Sequence, residues 1–341
     1  MTVYLSGDSN SVRRDGWVSL LAERLNGVTE FRNISIGGVP SQMSLFRALK
    51  ESRFRKGDVF VWAYGINDAL YLRKAKYKLE ELIWTLRQIM RLCAEHEVAF
   101  APMIFQLRRD SQVAGKSAYR KALHRLFDEY DLPFFDVDDA YLAQHSDARA
   151  LPFEFYEDYL HYSHNQGVSE HLTSGALDLI GRARVPARVG QGLRPVRLLE
   201  TFSGAEPGTL ANSAVGSLTT WKPGSKGLEI ALPGSGRIVG LFVATTLKGG
   251  AWTVSFRGHD DDISVAFADR KFNRTMLKFI SLEAMTGRSF RYRDGDALMI
   301  SWQPRPREVL ADWWFLKEMA DENIQGQEAR LVSVMVEDLT A

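Results

Sequence analysis

Four short polar clusters in the first half of the chain contain residue types that nucleophilic catalysis requires. They are GDSNS (7–11), NISIGG (33–38), YGIND (64–68) and DYLHYSH (158–164). A serine hydroxyl is a weak nucleophile and needs a base within hydrogen-bond distance. His161 is the candidate base for Ser9, and Asp158, three residues before the histidine, is the candidate partner that orients the imidazole ring. Together the clusters favour a reactive serine over a plain turn, which is the other interpretation of GDSNS.

The same clusters offer hydrogen-bond donors for the negative charge that develops on a carbonyl oxygen under attack. The candidates for this oxyanion hole are the backbone N–H groups of Ser9 and Gly38 and the side-chain amide of Asn67. Glycine suits position 38 because a backbone without a side chain lets a substrate approach closely. Gly37 is the alternative donor in this loop, and Asn67 taken alone is equally typical of a helix cap.

Further side chains near these clusters are candidates for supporting roles. Asp8 is predicted to hold the loop around the serine through backbone N–H groups, and Asp68 to support the site. The candidate substrate contacts are Tyr64, Arg108 and His164. His164, with Asp158 and His161, has the composition of a zinc ligand set. No further Cys or His pair with ligand spacing accompanies these three residues, so no metal is predicted.

Apolar strands and amphipathic helices alternate through the first 185 residues and must position these clusters. Strands are predicted at 2–7, 29–38, 57–68, 98–107 and 132–141, and helices at 14–27, 41–52, 77–95, 116–130 and 167–183. Such alternation predicts a parallel sheet with helices on both faces. In sheets of this kind ligands bind beyond the carboxyl ends of the strands, which is where the polar clusters fall.

The four clusters resemble the sequence blocks of the SGNH (GDSL-type) hydrolase family. Asn33 and Gly38 fit the block N-x-x-x-x-G, and YGIND fits G-x-N-D. Asp158 and His161 fit D-x-x-H, with Gly167 six residues after the histidine. Each block alone is weak, but all four occur in order and at the positions that the fold requires.

This resemblance covers about residues 1–185 and implies a flavodoxin-like α/β/α sandwich. It also implies a catalytic triad of Ser9, His161 and Asp158, and ester cleavage without a cofactor. Competing sequence patterns are absent: the chain has no G-x-S-x-G, no G-x-x-x-x-G-K-[ST], and no G-x-G-x-x-G after the first strand.

The second half of the chain has short apolar runs separated by turn signals instead of alternating strands and helices. Two domains are therefore predicted, at 1–185 and 186–341. The segment 185–196 reads as a linker, and turn signals every 8–12 residues predict an antiparallel, β-sandwich-like domain. HDDD (259–262) is predicted to be a hairpin loop, and 308–324 to be helical. Five tryptophans suit either a carbohydrate-binding surface or a sandwich core: Trp221, Trp252, Trp302, Trp313 and Trp314. An oligomer interface is the other role considered for this domain.

Composition excludes several classes of protein. The chain has 43 Lys and Arg residues and 42 Asp and Glu residues, so it lacks the excess of positive charge on which nucleic-acid binding depends. No apolar run approaches the roughly 18–20 residues of a membrane span. Cys93 is the only cysteine, so an intrachain disulfide cannot form. The first strand stands where a secretion signal would have its apolar region, which leads us to expect a cytoplasmic protein.

The sequence therefore predicts a serine esterase that acts on a small acyl ester, with an O-acetyl group on a carbohydrate as the favoured substrate. Basic residues on two loops fit either an anionic ester or a solvated surface: Arg73, Lys74, Lys76, Lys78, Arg108 and Arg109. Aromatic residues near the clusters would stack on sugar rings or pack the loops: Trp62, Tyr64, Phe153, Phe155, Tyr156 and Tyr159. Two alternatives stay open, namely an O-acyltransferase with the same acyl-serine chemistry and a glycan-binding or assembly protein with a vestigial site.

Overall fold

The computed structural model describes most of the chain and divides it into two units. The described residues are 1–51, 53–113, 115–187, 189, 192–212, 215–269, 274–304, 309–318, 323 and 326–339. The first unit is Met1–Leu72 with Lys78–Leu193, and the second is Arg73–Tyr77 with Arg194–Ala341. The division at 193/194 falls within the segment 185–196, and the domain ranges 1–185 and 186–341 remain a prediction.

Strands and helices alternate in the first unit, as the periodicity predicts. Its strands are β1 (Thr2–Gly7), β2 (Glu30–Asn33), β3 (Val59–Ala63), β4 (Ala99–Ile104) and β5 (Phe135–Asp136). Its helices are α1 (Ser9–Val12), α2 (Trp17–Leu25), α3 (Ser41–Lys50), α4 (Gly65–Lys74), α5 (Leu79–Glu95), α6 (Arg108–Ser111), α7 (Ala118–Glu129), α8 (Val137–Gln144) and α9 (Gln166–Arg182), with a 3-10 turn at Phe153–Phe155.

Within the described ranges these five strands form one parallel sheet in the order β2-β1-β3-β4-β5. Every residue of β3 is buried, as expected for a central strand covered on both faces. Helix α2 packs against α9, and α3 packs against α5. The prediction of a parallel α/β sheet is confirmed, and its carboxyl edge carries the ends of β1, β3 and β4.

Four predicted strands are shorter in the structure, β4 among them, and two of the four end early because polar residues begin the next helix. The strand predicted at 57–68 ends at Ala63, and Asn67 and Asp68 lie in the first turn of α4. The strand predicted at 132–141 is reduced to β5, since the Asp136 carboxylate caps α8 by accepting from the Asp139 N–H at 3.2 Å. The strand predicted at 29–38 ends at Asn33 and leaves 34–38 as a loop.

The second unit is built mainly of antiparallel strands. Its elements are β6 (Val196–Leu199), β7 (Ala205–Asn212), β8 (Gly216–Pro223), β9 (Leu228–Ala231), β10 (Gly236–Thr245), β11 (Ala251–Phe256), β12 (His259–Ser264), β13 (Met276–Ile280), α10 (Leu282–Thr286), β14 (Arg291–Tyr292), β15 (Ala297–Trp302) and β16 (Arg330–Asp338). Among the described residues they form a larger sheet, in which β13-β10-β16-β8-β7 is the main path, and a smaller sheet, β12-β11-β15-β9.

Apolar residues from both of these sheets form one core. Leu241 and Val334 contribute from the larger sheet, and Trp252 and Ile300 from the smaller. The predicted β-rich sandwich is therefore confirmed.

Two local predictions in this unit are wrong. HDDD lies in β12, because the hairpin turns two residues earlier, at Arg257 and Gly258, whose φ angles of 50° and 77° suit a tight hairpin turn. Residues 309–318 are not helical; Leu310 and Phe315 form β-bridges with Ile263 and Phe267. Residues 308, 319–322 and 324 of that predicted helix lie outside the described residues.

Membrane-spanning helices were sought in the described part of the chain, and no helix there is both long enough and apolar enough to cross a bilayer.

Candidate active site

Ser9 lies at the carboxyl end of β1 and opens the short helix α1. Asp8 caps this helix: its Oδ1 accepts from the Asn10 backbone N–H at 2.9 Å and from the Asn10 amide at 3.1 Å. Burial raises the pKa of Asp8 to about 6, although the hydrogen bonds from Asn10 and the nearby His161 oppose that rise. Gly7 is required before the cap, since a Cβ there would lie 2.3 Å from the Ser11 hydroxyl.

The structure brings Ser9, His161 and Asp158 together as one hydrogen-bonded chain. Ser9 Oγ lies 3.0 Å from His161 Nε2, and His161 Nδ1 lies 2.7 Å from Asp158 Oδ2. With the Nδ1 proton donated to the carboxylate, Nε2 is left as the acceptor for the serine proton. Chemically, this arrangement can act as a nucleophile, a base and a carboxylate that orients the base.

Asp158 is held as a carboxylate by its own loop. Its Oδ1 accepts from the backbone N–H groups of Leu160 at 2.7 Å and His161 at 2.8 Å. Partial burial acts to raise the pKa of Asp158, but the His161 side chain and these two backbone donors outweigh it, so the pKa lies below its usual range. Asp158 therefore stays ionised at neutral pH.

Asn10 is a positioning residue that the sequence analysis missed. Its Oδ1 accepts from the Tyr162 N–H at 2.8 Å, and its Nδ2 donates to the Leu160 carbonyl at 3.3 Å. Leu160 and Tyr162 flank His161 in the chain, so one amide next to the nucleophile fixes both sides of the base. The only signal in the sequence was a second polar residue after the serine in GDSN.

The loop after β2 passes directly against the nucleophile. A Cβ on Gly37 would lie 3.2 Å from both Cα and Cβ of Ser9, so a side chain there would require the loop or Ser9 to shift by a few tenths of an ångström. Gly38 follows with φ of 67°, a conformation that favours glycine. Gly37 thus lies against Ser9, and Gly38 is the next residue of the loop; the oxyanion role of Gly38 remains a prediction.

Asn67 reaches the same loop from the first turn of α4. Its Nδ2 donates to the Val39 carbonyl at 2.9 Å, which fixes the amide beside the glycines. The second N–H of that amide makes no hydrogen bond with any residue that the structure describes. The Asn67 backbone N–H also acts on Asp8 and lowers its pKa, which places the start of α4 close to the serine loop.

Asp68 supports the surrounding helices and not the reacting atoms. Its carboxylate accepts from the Ser41 N–H at 2.8 Å, the Ser41 hydroxyl at 2.6 Å and the Tyr119 hydroxyl at 2.7 Å. It thereby ties the starts of α3 and α7 to α4. Burial raises the pKa of Asp68 to about 6, and these donors limit the rise.

The predicted substrate contact at Tyr64 is wrong. The Tyr64 side chain is fully buried, and its hydroxyl accepts from the Ile36 N–H at 3.2 Å and donates to the Ile36 carbonyl at 3.3 Å. Trp62 is likewise fully buried, and its indole N–H donates to the Ser41 hydroxyl at 3.0 Å. These rings pack the loops behind the site and offer no surface to a sugar.

Arg108 and His164 are both partly exposed and lie near the loop that carries His161. The Arg108 N–H donates to the Tyr159 carbonyl at 3.3 Å, and its guanidinium stands 5.8 Å from the ring centre of Phe153, which is 63% exposed. The contact predicted for Arg108 stays a prediction. His164 contacts Arg13 and lies 3.3 Å from a Glu157 carboxylate oxygen, so its ring belongs to an ion cluster.

A second acidic cluster at the end of β5 has the residue types of a metal site. The ligand atoms of His124, Asp136 and Asp139 lie within 4.8 Å of one another. Arg120 contacts Asp136 through two nitrogens at 2.5 and 2.7 Å, and Lys116 lies 2.5 Å from Asp139. These cations already neutralise the carboxylates, so the arrangement is an ion-pair network.

No family model and no curated protein sequence matches this chain. Among solved structures it is similar to a two-domain esterase (CEX) active on acetylated mannans, at 12% identity and a TM-score of 0.61, over 99% of this chain and 91% of that one. It is also similar to Axe2, an acetylxylan esterase from Geobacillus stearothermophilus (18% identity, TM-score 0.42, 55% and 97% of the two chains). It is similar as well to a member of the lipolytic protein G-D-S-L family from Veillonella parvula, at 14% identity and a TM-score of 0.41, over 53% of this chain and 99% of that one.

At this level of identity, the first of these likenesses shows a shared fold. The chain therefore shares the fold of that two-domain esterase, and the parallel sheet of its first unit is the one that the resemblance to SGNH (GDSL-type) hydrolases implies.

Proposed function

We propose that this protein is a serine esterase that removes small acyl groups, and O-acetyl groups on carbohydrates in particular. The observation that carries the proposal is the continuous chain from Ser9 Oγ through His161 to the Asp158 carboxylate. Such a chain makes a hydroxyl nucleophilic near neutral pH. The carbohydrate class is supported by the similar two-domain esterase, which is active on acetylated mannans.

In the acylation step, Ser9 Oγ attacks the ester carbonyl carbon while His161 Nε2 takes the hydroxyl proton. Asp158 stabilises the imidazolium that forms and keeps the ring in place through Nδ1. The tetrahedral intermediate collapses when His161 returns the proton to the leaving sugar oxygen, which leaves acyl-Ser9. Water then attacks this ester with His161 again as the base, and acetate and free Ser9 result.

The oxyanion is proposed to receive hydrogen bonds from the backbone N–H groups of Ser9 and Gly38 and from the second amide N–H of Asn67. This assignment is supported by the close passage of the glycine loop at Ser9 and by the Asn67–Val39 hydrogen bond, which preorganises the amide. Preorganised donors stabilise the developing charge without reorganisation, and losing one typically lowers kcat by about 10²–10³.

The proposal is tested with p-nitrophenyl acetate and then with acetylated mannan and acetylated xylan, measuring released acetate. We expect Ser9→Ala to lower kcat by about 10⁴–10⁶-fold. Ser11→Ala is the matched control, because it removes a serine hydroxyl from the same short helix. The Ser11 hydroxyl has no hydrogen-bond partner among the described residues. Equal rates for wild type and Ser9→Ala would remove the proposal, and hydrolysis of p-nitrophenyl acetate without release from either polysaccharide would restrict it to other acyl esters.

A further inference from the structure

A polar pocket of about 280 Å³ lies on the larger sheet of the second unit. It is lined by side chains from four adjacent strands: β7, β8, β16 and β10. Thr220 and Lys222 flank Trp221, which packs against the core, and Arg330 precedes the core residue Leu331. Because side chains alternate along a strand, these three polar residues lie on the sheet face opposite the core.

Two buried hydrogen-bonding atoms at this pocket have no partner among the described residues. They are the hydroxyl of Thr220, whose side chain is fully buried, and Nη1 of Arg330. Both lie over Gly208 of β7: a Cβ there would be 2.5 Å from Arg330 Nη1 and 3.1 Å from Thr220 Oγ1. Buried polar atoms in folded proteins are nearly always hydrogen-bonded, so two unpartnered donors on residues that line one cavity favour a bound acceptor there.

The charge around the pocket favours an anion. Within the described ranges, no carboxylate forms an ion pair with Arg330 or Lys222. The Lys222 ammonium lies 6.0 Å from the centre of the Trp302 ring. Glu328 is exposed at the rim and accepts from the Thr246 hydroxyl. A guanidinium presents parallel N–H donors that match the two oxygens of a carboxylate.

We propose that this pocket binds the carboxylate of a single acidic sugar residue, a hexuronate. Arg330 and the Thr220 hydroxyl donate to the carboxylate, and rim residues such as Thr246, Thr275 and Gln327 hydrogen-bond the sugar hydroxyls. A volume of about 280 Å³ lies just below the range of about 300–1,000 Å³ typical of small-molecule pockets and suits a ligand of one sugar ring. The choice of a sugar as carrier rests on the proposed function, whereas the preference for an anion rests on the pocket alone.

The experiment is a calorimetric or NMR titration of the full-length protein with glucuronate, with glucose and inorganic phosphate as comparison ligands. We expect millimolar binding of glucuronate, and at least about tenfold weaker binding by Arg330→Gln, because the charge-assisted hydrogen bonds are lost. Arg291→Gln is the matched control, since Arg291 is an exposed arginine on β14 of the same sheet. Ser9→Ala is expected to bind as wild type does.

A second variant keeps every polar group. Gly208→Ala places a methyl where the guanidinium lies and is expected to weaken glucuronate binding while leaving the protein folded by circular dichroism. No binding of glucuronate, equal binding of glucose, or binding of phosphate alone would each overturn the assignment. Hydrolysis of acetyl esters without binding of glucuronate would contradict the pocket assignment alone. Binding of glucuronate without hydrolysis would contradict the proposed function alone.

Discussion

Among the described residues of the first unit, two histidine–aspartate hydrogen bonds have the same length, and one of these two histidines also faces a serine hydroxyl. His161 lies 2.7 Å from Asp158, and His124 lies 2.7 Å from Asp136. Hydrogen bonds hold the pKa of both aspartates below the usual range against the effect of burial. The pairs therefore look alike when they are judged by the acid and the base alone.

The difference lies in what occupies the other side of each ring. His161 presents Nε2 to Ser9 Oγ at 3.0 Å, whereas His124 directs Nδ1 to the Lys116 ammonium at 3.3 Å. Asp136 also binds Arg120, whose cation stabilises the carboxylate with or without a charged histidine. A histidine–aspartate pair is thus not diagnostic of a catalytic site, and the group that the free ring nitrogen faces decides its role.

The largest contrast should come from the two histidines. His161→Asn removes the base and is expected to lower kcat for p-nitrophenyl acetate by about 10⁴-fold or more. His124→Asn disturbs a partly exposed ion-pair network and should change kcat by less than about threefold. Steady-state kinetics of both variants measure this contrast, and a comparable loss in His124→Asn would contradict the assignment.

The two aspartates should separate activity from stability. Asp158→Asn is expected to lower kcat by about 10³–10⁴-fold, because the amide no longer fixes the productive tautomer of His161. Asp136→Asn should leave kcat within about threefold but lower the free energy of unfolding by about 2–3 kcal/mol, since it weakens the buried Arg120 pair. Urea unfolding and kinetics on the same preparations test both effects; a stable but inactive Asp136→Asn variant would be the contrary result.

Asn10, which follows Ser9 in the chain, holds both neighbours of His161, and among the described residues no amide is shown to hold His124 in this way. Asn10→Ala removes the hydrogen bonds to Leu160 and Tyr162 on both sides of His161 and should lower kcat by about 10–100-fold with little change in KM. Asn165→Ala, which removes the N-cap of α9, is the control for a general loss of stability. An unchanged kcat in a folded Asn10→Ala protein would show that the loop holds His161 without it.

The smallest effect concerns the pH dependence of stability at Asp8. A carboxyl whose pKa is raised in the folded state contributes stability below its unfolded value of about 3.9, and this contribution is lost as pH rises through the folded value of about 6. Asp8→Asn should therefore flatten the decline in unfolding free energy between about pH 4 and 6, by an amount on the order of 2 kcal/mol. Denaturant unfolding at a series of pH values measures this slope, and a slope identical to that of wild type would refute the contribution of Asp8.

Much of the first unit follows from its sequence because its signals are local and repeated. Apolar runs and helical periodicity predict the parallel sheet, and the ordered blocks predict that Ser9, His161 and Asp158 converge. The extent of β5 was not predictable from hydrophobicity, because Asp136 ends the strand by capping the next helix. Nor was the burial of Tyr64, since an aromatic residue at a strand end suits both a core and a rim.

The second unit was predicted less well because its elements are short and depend on pairing. The turn at Arg257 and Gly258 sets the register that places HDDD in a strand, although its composition is typical of a loop. Residues 309–318 have helix-forming side chains, but bridges to β12 and to Phe267 override that local preference. Asn10 illustrates the same limit in the first unit, because its partners lie about 150 residues away.

The most direct test of the account is the site of covalent modification by a fluorophosphonate, which reacts with activated serines. Intact-mass and peptide mass spectrometry should show one adduct per chain, on Ser9. The adduct should be absent in Ser9→Ala, form far more slowly in His161→Asn, and form at the wild-type rate in His124→Asn. No adduct on the folded wild-type protein, or an adduct on another serine such as Ser11, would contradict the claim that Ser9 is the nucleophile.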